Sequence, residues 1–327
     1  MKLLPLLPLV LTLSIAHAEL TAEQRQQPLE VEPPDPGLAK VVVIAGVPSN
    51  HPGQHEYFAG CALLCGLLKQ NAGVAPVLVG NGWPKNESIL DGAKSIVYYA
   101  DGGPKLPFAE PARLEKMKAL MDKGCGFVML HQTVDIPEAQ AHDVESWLGG
   151  AWTKDIGCRG HWDMEFGSFP THPVLRGVQP FAAPMDGWLY NLHFAEQGVT
   201  PLVTGAVPDK SRSTADAKAH NGRAETIGWA YERPNGGRGF AFTGCDLHRS
   251  WLVESQRRLV VNGILWTAKV EVPEGGAKVD FRPAELAKNL DAKPGTASAA
   301  AAFPGLPAGA PGAAGAQSAS VPAAAGN

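Results

Sequence analysis

From residue 40 onward the chain alternates between two apolar patterns. Lys40 is followed by Val41, Val42, Val43 and Ile44 with no polar break and then by Gly46. A β-branched run of this kind predicts a strand buried on both faces of a parallel sheet. Tyr57, Phe58, Cys61, Leu64, Cys65 and Leu68 then recur at helical spacing, one apolar stripe that Asn71, Ala72 and Gly73 bring to an end. The β-branched and aromatic runs at 77–79 and 95–99 predict two further strands. Pro111 opens a second helix, with Leu114, Met117, Leu120 and Met121 on its inner face and Lys123-Gly124 closing it. Residues 126–131 predict a fourth core strand. Further on, 138–148 predicts a helix, 162–166 and 201–204 predict strands, and 224–231 with 238–243 predict a hairpin around Gly236-Gly237. A closing helix over 254–268 buries Leu259, Val261, Leu265 and Trp266. There is no internal repeat.

Strand, helix, strand, strand, helix, strand is the order of an α/β fold with an open, mostly parallel sheet flanked by helices. In such sheets ligands bind in the crevice outside the C-terminal ends of the strands, so the residues just past each strand are the ones to examine for chemistry.

The ends differ from this core. Met1-Lys2, an apolar run from Leu3 to Ile15, and the small-residue close Ala16-His17-Ala18 predict a signal peptide over 1–18, which places the mature chain in the periplasm or outside the cell. Residues 19–38 predict an extended, proline-stiffened lead-in, 39–272 a single folded domain, and 273–327 an Ala/Pro/Gly-rich disordered tail, poorest in large apolar residues beyond 294. No later apolar run reaches the ~20 residues that cross a bilayer.

Charge and cysteine content narrow the partners. A formal net charge of −4 without clusters of Lys or Arg argues against nucleic acid and anionic membranes, leaving small neutral or polar ligands. Five cysteines are an odd and sparse set, so no disulfide framework is expected. Cys61 and Cys65 sit on the apolar stripe, as buried thiols do, and no His or third Cys joins them at zinc-site spacing.

Four segments place His, Asp or Glu just past predicted strands: residues 49–56 with His51, His55 and Glu56; Asp101-Gly102-Gly103; His131-Gln132; and 244–248 with Cys245, Asp246 and His248. A lone His or Asp there is commonly a cap or loop hydrogen-bonder, but four converging on one rim point to a site. His172, before Pro173, reads as structural. Arg212, Arg223 and Arg249 read as solvated. Trp152, Trp162, Trp188, Trp229 and Trp251 are either core or stacking faces for sugar rings.

At this point the chain resembles a known family, the ThuA-like (trehalose utilisation) proteins, which share the class I glutamine-amidotransferase-like, flavodoxin-like fold. The resemblance spans about residues 40–272. It rests on His51-Pro52-Gly53-Gln54-His55-Glu56-Tyr57 with Ala59-Gly60, Gly82-Trp83-Pro84, Tyr99-Ala100-Asp101-Gly102-Gly103 and Leu130-His131. Trp147-Leu148-Gly149-Gly150, Thr171-His172-Pro173-Val174, Trp229-Ala230-Tyr231-Glu232-Arg233 and Gly237-Arg238-Gly239-Phe240 continue it. It implies carbohydrate utilisation, with links to trehalose and keto-disaccharides. It also implies that His131 stands where amidotransferases carry their cysteine nucleophile. Cys125 lies at the other end of that strand, so glutamine hydrolysis through a thioester is excluded.

The family pattern usually reads Gly-Gly-His where this chain has Gly244-Cys245-Asp246, so Asp246 or His248 takes the place of an imidazole. Two readings follow. In the first, His131 and His55, with Asp246 or His248, perform acid/base chemistry on a sugar as a hydrolase, lyase or isomerase, aided by a divalent metal such as zinc held by His131, His55 and Asp246. Substrate contacts are then expected from His51, Glu56, Asp101, Gly102, Gly103 and Trp229. In the second, the crevice survives in a non-catalytic carbohydrate-binding or scaffolding module.

Overall fold

The computed structural model describes residues 19–293. The signal peptide expected over 1–18 and the part of the tail from 294 lie outside the described residues.

The core follows the sequence pattern closely. Strand β1 (Ala39–Ala45) leads to helix α1 (Tyr57–Leu68), then to β2 (Val74–Val79), β3 (Ser95–Tyr99), α2 (Pro111–Asp122) and β4 (Gly126–Leu130). Helix α3 (Glu138–Leu148) is followed by the short β5 (Gly150–Ala151), the long β6 (Cys158–Phe166) and β7 (Phe181–Tyr190), and the short β8 (His193–Phe194). The chain then forms β9 (Val199–Gly205), helix α4 (Ala215–Ala219), β10 (Glu225–Glu232), β11 (Arg238–Phe242) and α5 (Glu254–Thr267). Seven strands make one sheet in the order β2-β1-β3-β4-β11-β10-β9. The first five in that order run parallel, and β10 pairs antiparallel with both β11 and β9.

The alternation of side chains along each strand sorts the core into two layers. Val41 and Val43 pack with α1 and α5, whereas Val42 and Ile44 pack with α2 and α3. All four are fully buried, each contributing ~1.5–3 kcal/mol relative to exposure. Helix α2 starts sharply because Pro111 occupies its first turn and the Glu110 carboxylate accepts from the Ala112 and Arg113 amides.

Strand β7 is absent from the sequence-based expectation. Its sequence, Phe-Ala-Ala-Pro-Met-Asp-Gly-Trp-Leu-Tyr, carries a proline and a glycine that normally argue against a strand. It exists because β6 and β7 pair only with each other, as a two-stranded antiparallel arm, and an arm tolerates a missing backbone donor.

The two ends of the described chain correct the expected boundaries. Residues 273–293 were expected in the disordered tail, yet Ala277, Val279, Leu286, Asp291 and Lys293 are buried. The lead-in meets them: Gln24, also buried, donates through Nε2 to the Asn289 carbonyl and to Asp291 Oδ1, each at 3.0 Å. The segment is anchored by polar contacts made with residues far away in sequence, which composition does not reveal.

Burial, reinforced by the charge of Glu56, pushes the Asp291 carboxyl up to about 7. A raised carboxyl binds its proton more tightly folded than unfolded, so its contribution to stability is fully present below pH ~4 and is lost as pH rises toward about 7. Asp291→Asn should therefore flatten the fall in melting temperature between pH 5 and 8. Parallel thermal melts check this, and identical profiles for the two proteins would overturn it.

Candidate functional site

Four neighbouring strands, β1, β3, β4 and β11, present their C-terminal ends side by side, and the four segments singled out in the sequence lie there. The chain leaves β1 for β2 on one side and returns to β3 on the other, so this rim includes a point where strand order reverses. A cleft of about 380 Å³ opens at the rim, lined in part by Asn50, His55, Asp101, Gly102, Gln132 and Asp135.

The turns that enter the site are backbone-strained. His55 and His131 both have positive φ, at 46° and 53°, and so does Cys245, at 75°. Non-glycine residues held in the left-handed region cost ~1–3 kcal/mol each and persist where the surroundings impose them. Here they turn the His55 and His131 rings inward from two loops and bend the third loop just before Asp246. The loops also grip one another: the His55 amide donates to the Asp246 carbonyl at 3.0 Å, and the His248 amide to the Gly53 carbonyl at 2.9 Å.

The result is a buried cluster of His55, His131 and Asp246. His55 Nε2 lies 3.1 Å from His131 Nε2 and 3.1 Å from Asp246 Oδ1, and His131 Nε2 lies 3.4 Å from the same oxygen. The outer ring nitrogens decide what these distances mean. His131 Nδ1 is 3.0 Å from the Thr243 carbonyl, which can only accept, so Nδ1 carries the hydrogen. His55 Nδ1 is 3.0 Å from Asp101 Oδ1, a carboxylate oxygen that likewise accepts. Both neutral imidazoles therefore turn Nε2 lone pairs toward a carboxylate oxygen, and Asp246 Oδ1 is buried without a hydrogen-bond donor. Three acceptors meeting at one point require a cation, either an extra proton or a metal ion.

The electrostatics agree. Burial alone would lower the pKa of His55, but hydrogen bonds and charge from Asp101 and Asp246 outweigh it and raise the ring above its ordinary 6.5. Burial works to raise both carboxyls. For Asp101 the hydrogen bonds from His55, Tyr57 and Lys105 win, and for Asp246 its pairing with His131 and His55 wins, so both sit well below the usual carboxylate range. Asp101 is fully engaged: Ser49 Oγ and Tyr57 OH donate to its Oδ1 at 2.8 and 2.7 Å, and Lys105 Nζ to Oδ2 at 3.0 Å.

The donor set suits a first-row divalent ion. Two imidazoles and one carboxylate are borderline ligands of the zinc and iron type. An ion ~2.1 Å from each of three ligands needs them roughly 3.0–3.4 Å apart, the spacing found. Each histidine's second nitrogen is tied to an acceptor, as metal-bound histidines require.

Asp246 itself is held by the β6–β7 arm. Asp186, wholly buried on β7, accepts from the amides of Gly187 and Cys245, each at 2.9 Å, and of Leu247 at 3.0 Å, so it fixes the backbone on both sides of Asp246. The Asp246 carboxylate then lies against Gly187, where an added Cβ would stand 2.6 Å from Oδ2. Gly187→Ala should displace that carboxylate and weaken Zn²⁺ binding by roughly 10-fold or more, since disturbing a ligand's support typically costs that much. Competition with a chelating dye measures it, and wild-type affinity in the variant would overturn the placement.

Several expected site residues are elsewhere. His248 is buried on the far side of its loop, near Lys293 and the Leu286 backbone, and burial followed by the charge of Lys293 lowers its pKa to about 3. Asp246, not His248, thus lies with the two histidines. Glu56 is buried beneath the loop, where its carboxylate accepts from the Gly53 and Asp291 amides and pairs with Lys293 at 3.2 Å. Trp229 is fully buried and donates to the Leu148 carbonyl, so it is core. Trp152, Trp188 and Trp251 are buried as well, and none forms an exposed stacking face. His51 is exposed on the loop and does not line the cleft. Asp101 and Gly102 line it, whereas the Gly103 amide is spent on the Asp135 carbonyl. Gly102 is glycine for space, because an added Cβ would stand 2.3 Å from the Gln132 and Asp135 carbonyl oxygens.

Other sequence readings fare unevenly. His172 is structural as expected, its Nδ1 accepting from the Val174 amide. All five cysteines are buried and free. Arg212, expected in solvent, is instead buried against Glu225 at 2.5 Å, with Nη2 donating to the Arg223 carbonyl. Residues at the site that sequence reasoning missed are Arg159 and Asp135, which line the cleft, and His161, whose Nε2 lies 2.5 Å from Asp246 Oδ2. Alternation along β6 was the available signal, since Arg159 and His161 share its exposed face.

No family model and no curated protein matches this sequence. Solved structures do. A protein of Bacteroides uniformis ATCC 8492 described as thua-like is similar to it at TM-score 0.52 and 13% identity, over 76% of this chain and 98% of that one. A thua-like protein of Parabacteroides merdae ATCC 43184 gives TM-score 0.51 and 15% identity, over 76% and 99%. The chain has the α/β fold of these thua-like proteins.

Proposed function

We propose that this chain is an exported metal-dependent enzyme performing acid–base chemistry on a small carbohydrate, with His55, His131 and Asp246 holding a divalent ion, Zn²⁺ in the first instance. The observation that carries this reading is the meeting of His55 Nε2, His131 Nε2 and Asp246 Oδ1 within 3.4 Å, each a lone-pair donor and none supplied with a hydrogen. A bound ion supplies Lewis acidity, polarising a carbonyl or hydroxyl oxygen of the substrate.

The chain's own residues do the rest. Asp101 accepts the His55 Nδ1 hydrogen and so fixes the ring's tautomer and direction. Asn50, Lys105, Gln132 and Arg159 line the cleft with donors, and Asp135 with a carboxylate, a set that suits the alternating donor and acceptor character of sugar hydroxyls. Burial raises the pKa of Asp135 against the opposing pull of Arg159, which suits it to hold a proton that a carbohydrate reaction moves. The carbohydrate assignment draws on the ThuA-like resemblance. Export draws on the residues 1–18 pattern, and among the described residues no helix is long and apolar enough to cross a membrane.

The test is metal analysis of the protein purified from its native host, joined to proton–deuterium exchange at the carbon beside the carbonyl of a keto-disaccharide, followed by NMR. One equivalent of metal and exchange that stops on chelation are expected. A metal-free protein that binds sugar without exchanging protons would replace this reading with the carbohydrate-binding module.

A further inference from the structure

The metal reading leaves open why Asp246 is gripped so closely from outside the cluster. Its inner oxygen, Oδ1, faces the two histidines. Its outer oxygen, Oδ2, faces away, toward the β6–β7 arm, and there His161 Nε2 approaches to 2.5 Å. A carboxylate oxygen only accepts, so Nε2 carries the hydrogen and His161 donates. His161 stands outside the group of ligand atoms that lie within 4.8 Å of one another. Its side chain is 49% exposed.

The arm's register explains how this contact arises. His161 on β6 pairs with Gly187 on β7, and Gly187 is the residue whose missing side chain makes room for the same carboxylate. The preceding residue, Asp186, pins the amides on either side of Asp246. One pair of facing positions in a two-stranded arm thus leaves room for the carboxylate, fixes the backbone that carries it and holds its outer oxygen. Nothing comparable restrains Oδ1, which is buried without a donor.

Resting on the metal reading above, we infer that His161 is a positioning residue that keeps Asp246 a one-oxygen ligand. A carboxylate next to a divalent ion can offer one oxygen or both. Holding Oδ2 in a hydrogen bond commits it elsewhere, limits the protein to three donor atoms and leaves the remaining positions for substrate or solvent, the condition that separates catalytic from structural sites. His161 acts through Asp246 and is not itself a ligand.

The test uses Co²⁺ alone as probe, added to the metal-free full-length protein, with wild type, His161→Ala and His161→Gln compared. The visible absorption of Co²⁺ reports coordination number, and its dissociation constant is read from the same titration. With His161→Ala, Oδ2 is released to join the ion. The Co²⁺ band should weaken and move toward shorter wavelength, with affinity changed by roughly 10-fold or more in either direction. The Gln amide can still donate to Oδ2, so His161→Gln should recover the wild-type spectrum in large part. Thermal melts of the metal-free proteins should show only the modest loss that goes with one hydrogen bond in His161→Ala, recovered in large part by His161→Gln, because a half-exposed ring contributes little burial. A wild-type spectrum and affinity in His161→Ala would overturn the inference while leaving the metal site intact. Failure of the wild-type protein to take up Co²⁺ would overturn the metal reading and this inference together.

Discussion

His131→Ala should lose Zn²⁺ uptake almost completely, with affinity falling at least ~100-fold, beyond the 10–100-fold that loss of a supporting residue costs. The removed ring supplies one of only three lone-pair atoms in the cluster, and no other His, Asp, Glu or Cys among the described residues joins them. Stability should change little. The variant loses one hydrogen bond to the Thr243 carbonyl, worth ~1 kcal/mol, and keeps the strained φ of 53°. His131→Asn is the sharper comparison, because asparagine tolerates positive φ and so removes the imidazole without adding backbone strain. Equilibrium dialysis and a denaturant melt on each variant decide the matter. A markedly destabilised protein with normal metal uptake would show that His131 serves the fold rather than the site.

The largest loss of stability is expected from Lys293→Met. Lys293 and Glu56 are both about 99% buried and pair at 3.2 Å. The ammonium also donates to the carbonyls of Gln54 and His55, the latter at 3.0 Å. Removing it leaves a carboxylate buried without a counter-charge and takes donors from carbonyls of the site loop, which together cost ~3–5 kcal/mol. The melting temperature should fall by roughly 10 °C in a domain of this size. Adding Glu56→Gln should restore part of the loss, because the orphaned charge is gone. Differential scanning calorimetry of the single and double variants measures this. A single variant that melts like wild type would mean the pair contributes nothing to stability.

The core was legible in sequence because its signals are local. The Val41 to Ile44 run, the stripe from Tyr57 to Leu68 and Pro111 at a helix start each announce an element within a dozen residues. Four of the candidate site's centres were legible for the same reason, since His55, Asp101, His131 and Asp246 follow strands or their loops directly. What stayed hidden depends on partners remote in sequence. His161 is 85 residues from Asp246, Gln24 is 267 from Asp291, and Lys293 is 238 from His55. The placement of Arg212 in solvent failed although its partner is near in sequence: only the fold shows Glu225 in the interior, and an unpaired arginine would have stayed outside. Glu56 and His248 misled because they sit beside residues of the cluster but point to the other side of the loop.

The grip of Lys293 on the loop that carries His55 also sets an order of events in biosynthesis. The His51 carbonyl and the Lys293 ammonium are 242 residues apart, so a chain still being made displays His55, and later His131 and Asp246, long before the residue that braces them exists. Closing a loop of that length costs entropy that only the assembled sheet can offset. During synthesis the nascent segment 51–56 therefore remains unbraced until residue 293 has been made. On the metal reading proposed above, an ion meeting the chain before that point would find a looser set of side chains than the folded cluster offers.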